Sequence, residues 1–233
     1  MAAAVKLHRH VGRRRAARFL AEGPNLVEAA LRRGVVSEVF ATEDAVERFG
    51  GLLAGAPVHL VTERAAKALS DTVTPVGLVA VCAMPDAPLA DVLAADPRLV
   101  AVAVETSEPG NVGTLIRLAD AMGADAVILA GNSVDPYNGK CLRASAGSIF
   151  ALPVVQESDV RALIDALREA GLTTRATTLD GELNLDDADL SGPTAWMFGS
   201  EAHGLSAEAA AMADERVVIP KTGGASGLNA AAR

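Results

Sequence analysis

The chain is poor in aromatics, cysteine and lysine. Only 3% of its 233 residues are Phe, Trp or Tyr, and its two cysteines are Cys82 and Cys141. Two cysteines so far apart form neither a disulfide framework nor a metal knuckle, and they suit a reducing cytoplasm. The four histidines (His8, His10, His59, His203) show no ligand spacing with them, so no metal is expected. No apolar run reaches the roughly 18 residues that cross a membrane, which excludes an integral helical membrane protein. The opening MAAAVKLHRHVGRRRAARF has no apolar stretch after its charges and is not a secretory signal. A GxGxxG dinucleotide fingerprint, a P-loop and a GxSxG nucleophile elbow are all missing. What is present is a chain that is 50% hydrophobic, too apolar for disorder. At roughly 100–200 residues per domain, it makes one large domain or two small ones.

Charge is uneven. The net charge is −8, yet Lys6, Arg9, Arg13, Arg14, Arg15, Arg18, Arg32 and Arg33 face only Glu22 and Glu28 in residues 1–34. That segment carries +6 and the remainder −14. A basic arm on an acidic body suggests an anionic partner, nucleic acid first. A solvated N-terminus is the other reading.

Periodicity gives two α/β stretches. Helical spacing over 25–33, 43–54 and 63–70 alternates with strand-like runs at 39–41, 57–61 and 77–83. Two prolines within residues 84–88 mark a boundary. Beyond it, apolar strands are expected at 98–104, 126–130, 172–178, 194–199 and 216–219, with helices over 112–122 and 158–170. Apolar runs without strict alternation fit a parallel sheet covered on both faces.

Three polar clusters each follow an expected strand, where open α/β sheets bind ligands. The first, Glu105 to Gly113, leads into a helix carrying Arg117, with Asn111 as a possible cap. A cation near a helix start opposes the dipole unless something anionic faces it, although a surface Arg is the plainer reading. The second, Phe198 to Ser206, sets Glu201 and His203 between Gly199 and Gly204. Glycines there let a ligand approach the backbone, while an ordinary turn capped by Ser206 is the alternative. Ser200, Glu201 and His203 are too close in sequence to form a hydrolase relay. The third, Val218 to Asn229, runs into a glycine-rich loop whose backbone groups can bind a ligand, or into a flexible terminus.

The three clusters together resemble the motifs of the SpoU (TrmH-like) RNA methyltransferases of the SPOUT superfamily. They read Asn111-Val-Gly113-Thr-Leu-Ile-Arg117, then Gly199-Ser-Glu201-Ala-His-Gly204-Leu205, then Ile219-Pro220 through Leu228-Asn229. Cys141-Leu-Arg143-Ala-Ser145-Ala-Gly147-Ser-Ile-Phe150 matches a further family segment. The resemblance covers about residues 97–229. Residues 1–83 are similar to the ribosomal-protein-like RNA-binding domain that precedes the catalytic domain in many members.

The resemblance implies an α/β fold: a trefoil-knotted parallel-sheet catalytic domain after a small α/β RNA-binding domain. Expected divisions are a basic arm at 1–18, a substrate-binding domain at 19–84, a linker at 85–96 and the methyltransferase domain at 97–233. It implies methyl transfer from S-adenosylmethionine to a ribose 2′-OH in structured RNA, rRNA before tRNA, by a cytoplasmic homodimer without metal. By motif position, Arg117, Asn111 and Glu201 are catalytic. Gly199, Ile219, Leu228, Thr178, Gly204 and Asn229 hold the cofactor. Arg143, Arg13, Arg14, Arg15 and Arg18 face RNA. Two departures stand out: Gly227 where the family usually has Ser, and only four residues after Asn229, where members continue into a helix. They keep open an alternative, an inactive RNA-binding relative with an incomplete site.

Overall fold

A computed structural model of the chain describes residues 1–85 and 87–220. The chain divides into two compact units. One comprises residues 1–86 and 135–151, the other residues 87–134 and 152–233.

The first unit is built on a four-stranded sheet of β1 (Arg18–Glu22), β2 (Val36–Ala41), β3 (Val58–Leu60) and β4 (Leu78–Ala83), in the order β1-β4-β2-β3. The apolar run of β4 explains its central place: five of its six residues are buried, and it pairs antiparallel with both β1 and β2. Thr42 and Thr62 start helices Glu43–Phe49 and Glu63–Leu69 by accepting the amides of Ala45 and Ala65. Helix Pro24–Arg33 begins at a proline and stops at Gly34, whose φ of +73° is left-handed.

Residues 1–16 are not a solvated arm. They form short helical pieces, Ala2–Val5, Lys6–His8 and His10–Ala16. Ala4 and Leu7 pack with Phe40, Leu69, Val79 and Val81 in the core of this unit. Residues 135–151 belong to the same unit but pack on the other face of its sheet, where Phe19 points while its neighbour Leu20 meets that cluster. Tyr137 and Phe150 lie 4.7 and 6.0 Å from the ring of Phe19. The sequence pattern assigns this stretch to the methyltransferase domain, but its aromatic side chains take it to the first unit.

The second unit holds β5 (Leu99–Val104), β6 (Ala126–Ala130), β7 (Val154–Glu157), β8 (Thr173–Thr178), β9 (Leu183–Asn184), β10 (Thr194–Phe198) and β11 (Glu215–Val218). Their order is β7-β6-β5-β10-β8-β11-β9, and every pair is parallel. Val100, Val102, Val104 and Ile128 pack on Leu163, Ile164 and Leu167 of helix Val160–Glu169. Their alternates Ala101, Ala103, Val127 and Leu129 are buried as well. Burial of both faces is why these strands read as continuous apolar runs. The expected linker at 85–96 contains a helix, Leu89–Ala94. The expected knot depends on residues 221–233, which lie outside the described residues.

Candidate active site

The site begins where two adjacent strands send the chain opposite ways. Strands β5 and β10 are neighbours, with Phe198 opposite Ala103. After β5 the chain goes to helix Pro109–Ala121 and on to β6; after β10 it goes to helix Ala207–Met212 and on to β11, beyond β8. Such a divergence opens a crevice at the carboxyl ends of the strands. The helix after β5 starts earlier than its spacing suggests, because Pro109 suits a first turn and Glu108 caps it through the amide of Gly110 at 3.1 Å. Asn111 is therefore not the cap. It lies inside the first turn, and its Nδ2 donates to Glu201 Oε1 at 2.7 Å.

Glu201 rides on a turn that only glycines permit. Ser200 and Gly204 exchange backbone hydrogen bonds at 3.1 and 2.8 Å, closing the loop. A Cβ on Gly199 would lie 2.0 Å from Gly204 C and Leu205 N, and Gly204 has a φ of +69°. The space at Gly199 is thus filled by its own loop. Ser200 Oγ accepts from the amide of His203 at 3.4 Å, an internal turn contact rather than a nucleophile's relay.

Three of the expected cofactor residues fall in one row. Met197 pairs with Ala176 and Val218 with Thr178. Two residues beyond the first pair, Gly199 is level with Thr178, and Ile219 follows Val218. Thr177 Oγ1 donates to Met197 O at 2.9 Å, whereas the buried Thr178 Oγ1 has no partner among the described residues. A buried hydroxyl without a partner costs free energy that a polar ligand recovers. Together with backbone groups at three strand ends, this row fits a cofactor with polar edges. Leu228 and Asn229 lie outside the described residues.

Arg117 does not join Asn111 and Glu201. Six residues past Asn111, it stands about 9 Å along the helix axis and roughly 120° around it. It is exposed and has no partner among the described residues. It is also the ninth residue of its helix, so the dipole argument for an anionic partner at a helix start does not apply.

The expected RNA-facing arginines separate into two kinds. Arg14, Arg15 and Arg18 are exposed, with Arg18 3.9 Å from Glu38. Arg13 differs from the expectation: it is only 5% exposed, donates to Asp135 at 2.6 and 2.8 Å, and binds the carbonyls of Leu7 and His8. Arg143 pairs with Asp71, whose carboxylate occupies the place of a side chain at Gly139. Among the described residues, no His, Cys, Asp and Glu side chains converge as a metal site. Sequence reasoning missed buried Arg175, although an Arg inside the strand Leu-Thr-Thr-Arg-Ala-Thr-Thr was a visible signal.

Residues 98–232 match the model of the SpoU rRNA Methylase family, and residues 2–80 match that of the MRM3-like substrate binding domain. A Bacillus subtilis relative, 23S rRNA (guanosine(2553)-2′-O)-methyltransferase RlmP, is 35% identical over 97% of this chain and 89% of its own. The Streptomyces viridochromogenes SpoU methyltransferase AviRb, solved with AdoMet, superposes with a TM-score of 0.86 at 30% identity, covering 98% of this chain and 91% of that one. An AdoMet-bound rRNA methyltransferase from Sinorhizobium meliloti also gives 0.86 at 30% identity, covering 99% and 88%.

Proposed function

This chain belongs to the SpoU rRNA methylase family, and we propose that the Asn111–Glu201 contact and the Thr178–Gly199–Ile219 row are two parts of one methyl-transfer site. The chain is an S-adenosylmethionine-dependent RNA methyltransferase acting on a ribose 2′-OH. The observation that carries this reading is the 2.7 Å bond between motif residues 90 positions apart, at the strand divergence where such folds bind ligands.

When bound, S-adenosylmethionine supplies a methyl group already made electrophilic by its sulfonium. What remains for the protein is positioning and charge stabilisation. Thr178, through its hydroxyl, and Gly199 and Ile219, through backbone groups, hold the cofactor; Gly204 shapes the loop, and Leu228 and Asn229 add to it. Asn111 and Glu201 order the ribose side. Arg117 anchors substrate phosphate and stabilises the oxyanion as it forms; a guanidinium with a pKa above ~12 serves as a cation rather than a base. No metal is required by this chemistry.

Asn111 and Arg117 leave one helix on different sides. That divergence supports a homodimer with composite sites, Arg117 of one protomer serving the cofactor row of the other. The relative's 23S rRNA target supports ribosomal RNA as substrate. Arg14, Arg15 and Arg18 are the exposed phosphate contacts of the first unit, with Arg143 joining them. The place of action is the cytoplasm.

Incubation with methyl-labelled S-adenosylmethionine and total RNA tests the reading. Label is expected in 23S rRNA, at one 2′-O-methylated nucleotide. Label confined to protein or to a base nitrogen would refute it.

A further inference from the structure

Arg175 stands where a parallel sheet normally places an apolar residue. It lies on β8 between β10 and β11, opposite Trp196 on one side and Glu215 on the other. The side chain is buried. Its guanidinium donates to Glu215 Oε2 at 2.6 Å, to Thr194 Oγ1 and to the carbonyl of Asp189 at 2.6 Å. Its carbon sits 5.9 Å from the centre of the Trp196 ring.

Removing a guanidinium from water is costly, and apolar packing of similar volume stabilises a sheet at least as well. The bonds are better explained by what they fix. Glu215 and Thr194 are strand residues already held by the ladder. Asp189 is not. It belongs to the connection 179–193, which leaves β8 at Thr178 and returns as β10.

The same connection is held near its start. A Cβ on Gly181 would lie 2.7 Å from Arg216 O and Val218 N, so its backbone runs directly against β11. Glu182 takes two bonds from Arg216, one of them at 3.1 Å. The connection opens with Thr178, whose buried hydroxyl has no partner among the described residues, and Leu179, a large apolar side chain left 59% exposed.

We propose that Arg175 is a positioning residue for cofactor binding: by holding Asp189 it fixes the return of the 179–193 connection, and so the arrangement of Thr178 and Leu179 that S-adenosylmethionine meets. It acts without touching the cofactor. The inference rests on the cofactor row proposed above. A clamp of this kind works through populations. If its loss leaves one molecule in ten with a competent connection, the apparent Kd rises about tenfold.

The test compares the full chain with Arg175→Met and Arg175→Lys by calorimetric titration of S-adenosylmethionine and by thermal unfolding. Trp196 is the sole tryptophan and lies against the clamp, so its emission reports the clamp directly. The expected result is a folded Arg175→Met variant whose Kd is about tenfold higher, Arg175→Lys between it and the parent, and a cofactor-dependent change in emission that Arg175→Met loses. Hydrogen exchange on the parent chain needs no variant: cofactor should slow exchange across 179–193. Arg175→Met binding as tightly as the parent, or exchange unchanged across 179–193, overturns the clamp alone. A parent chain that does not bind S-adenosylmethionine overturns the clamp together with the functional reading.

Discussion

Asn111 Nδ2 donates to Glu201 Oε1 at 2.7 Å, joining the helix after β5 to the loop after β10. The contact pairs a neutral amide donor with a carboxylate acceptor. Asn111→Asp would set two carboxylates at this separation, and their repulsion disfavours ionising both. One carboxyl then has a raised pKa, so the repulsion is present above that pKa and relieved below it. Relative to the parent, single-turnover methylation is expected to fall about 10²-fold at pH 8 and to recover partly at pH 6. A loss of the same size at both pH values contradicts the account.

Gly199 is required by steric closeness rather than by a ligand. In Gly199→Ala the new methyl would meet Gly204 and Leu205 backbone atoms 2.0 Å away, so the loop cannot close with Glu201 in place. Calorimetry is expected to show no measurable cofactor binding, while Gly192→Ala, which meets nothing within 4 Å, binds as the parent does. Equal binding by the two variants would count against the loop as part of the pocket.

The buried pair Arg13–Asp135 ties residues 1–16 to the stretch 135–151. Asp135→Ala leaves the Arg13 guanidinium buried and unpaired, which costs about 3–5 kcal/mol. Arg14→Ala, at an exposed position, is expected to change stability by about 0.5 kcal/mol or less. Urea unfolding of both variants checks the contrast. A mild effect of Asp135→Ala would show that the N-terminal helices are not integral to the unit.

Much of this was legible in the sequence, and the exceptions have physical causes. The apolar runs of β4, β5 and β6 announced buried strands, and the first two motif clusters follow strands as expected; the third starts at the end of β11 and from Lys221 onward lies outside the described residues. Strand β1 was missed because Arg18 and Glu22 close a five-residue segment of mixed polarity. Helix Gly139–Ser145 and the three-dimensional allegiance of 135–151 were missed because they depend on Phe19, far away in the chain. Arg13 looked like its neighbours Arg14 and Arg15; only the fold separates a buried ion pair from a solvated cation. Motif resemblance put Asn111 and Glu201 in one site, whereas their contact follows from the adjacency of β5 and β10. Arg175 was overlooked because periodicity counts an arginine in a strand as a polar interruption.

Neither cysteine is available as a nucleophile. Cys82 and Cys141 are buried, and burial pushes each thiol up to about 12. The reactive thiolate forms only above that value, so both remain protonated at pH 8. The native chain is expected to resist a thiol-specific disulfide reagent at pH 8, and the unfolded chain to react at both positions. Rapid labelling of the native protein would contradict the burial.

The central claim is that Arg117 stabilises charge on the reacting ribose and its phosphate without holding the cofactor. Arg117→Ala measured by cofactor calorimetry alongside single-turnover methylation tests this most directly. The account predicts near-parent cofactor affinity with methylation slowed about 10²–10³-fold. Arg117→Lys should restore little, because a point charge lacks the planar grip of a guanidinium on phosphate. Near-parent methylation by Arg117→Ala, or a large loss of cofactor affinity, would contradict it.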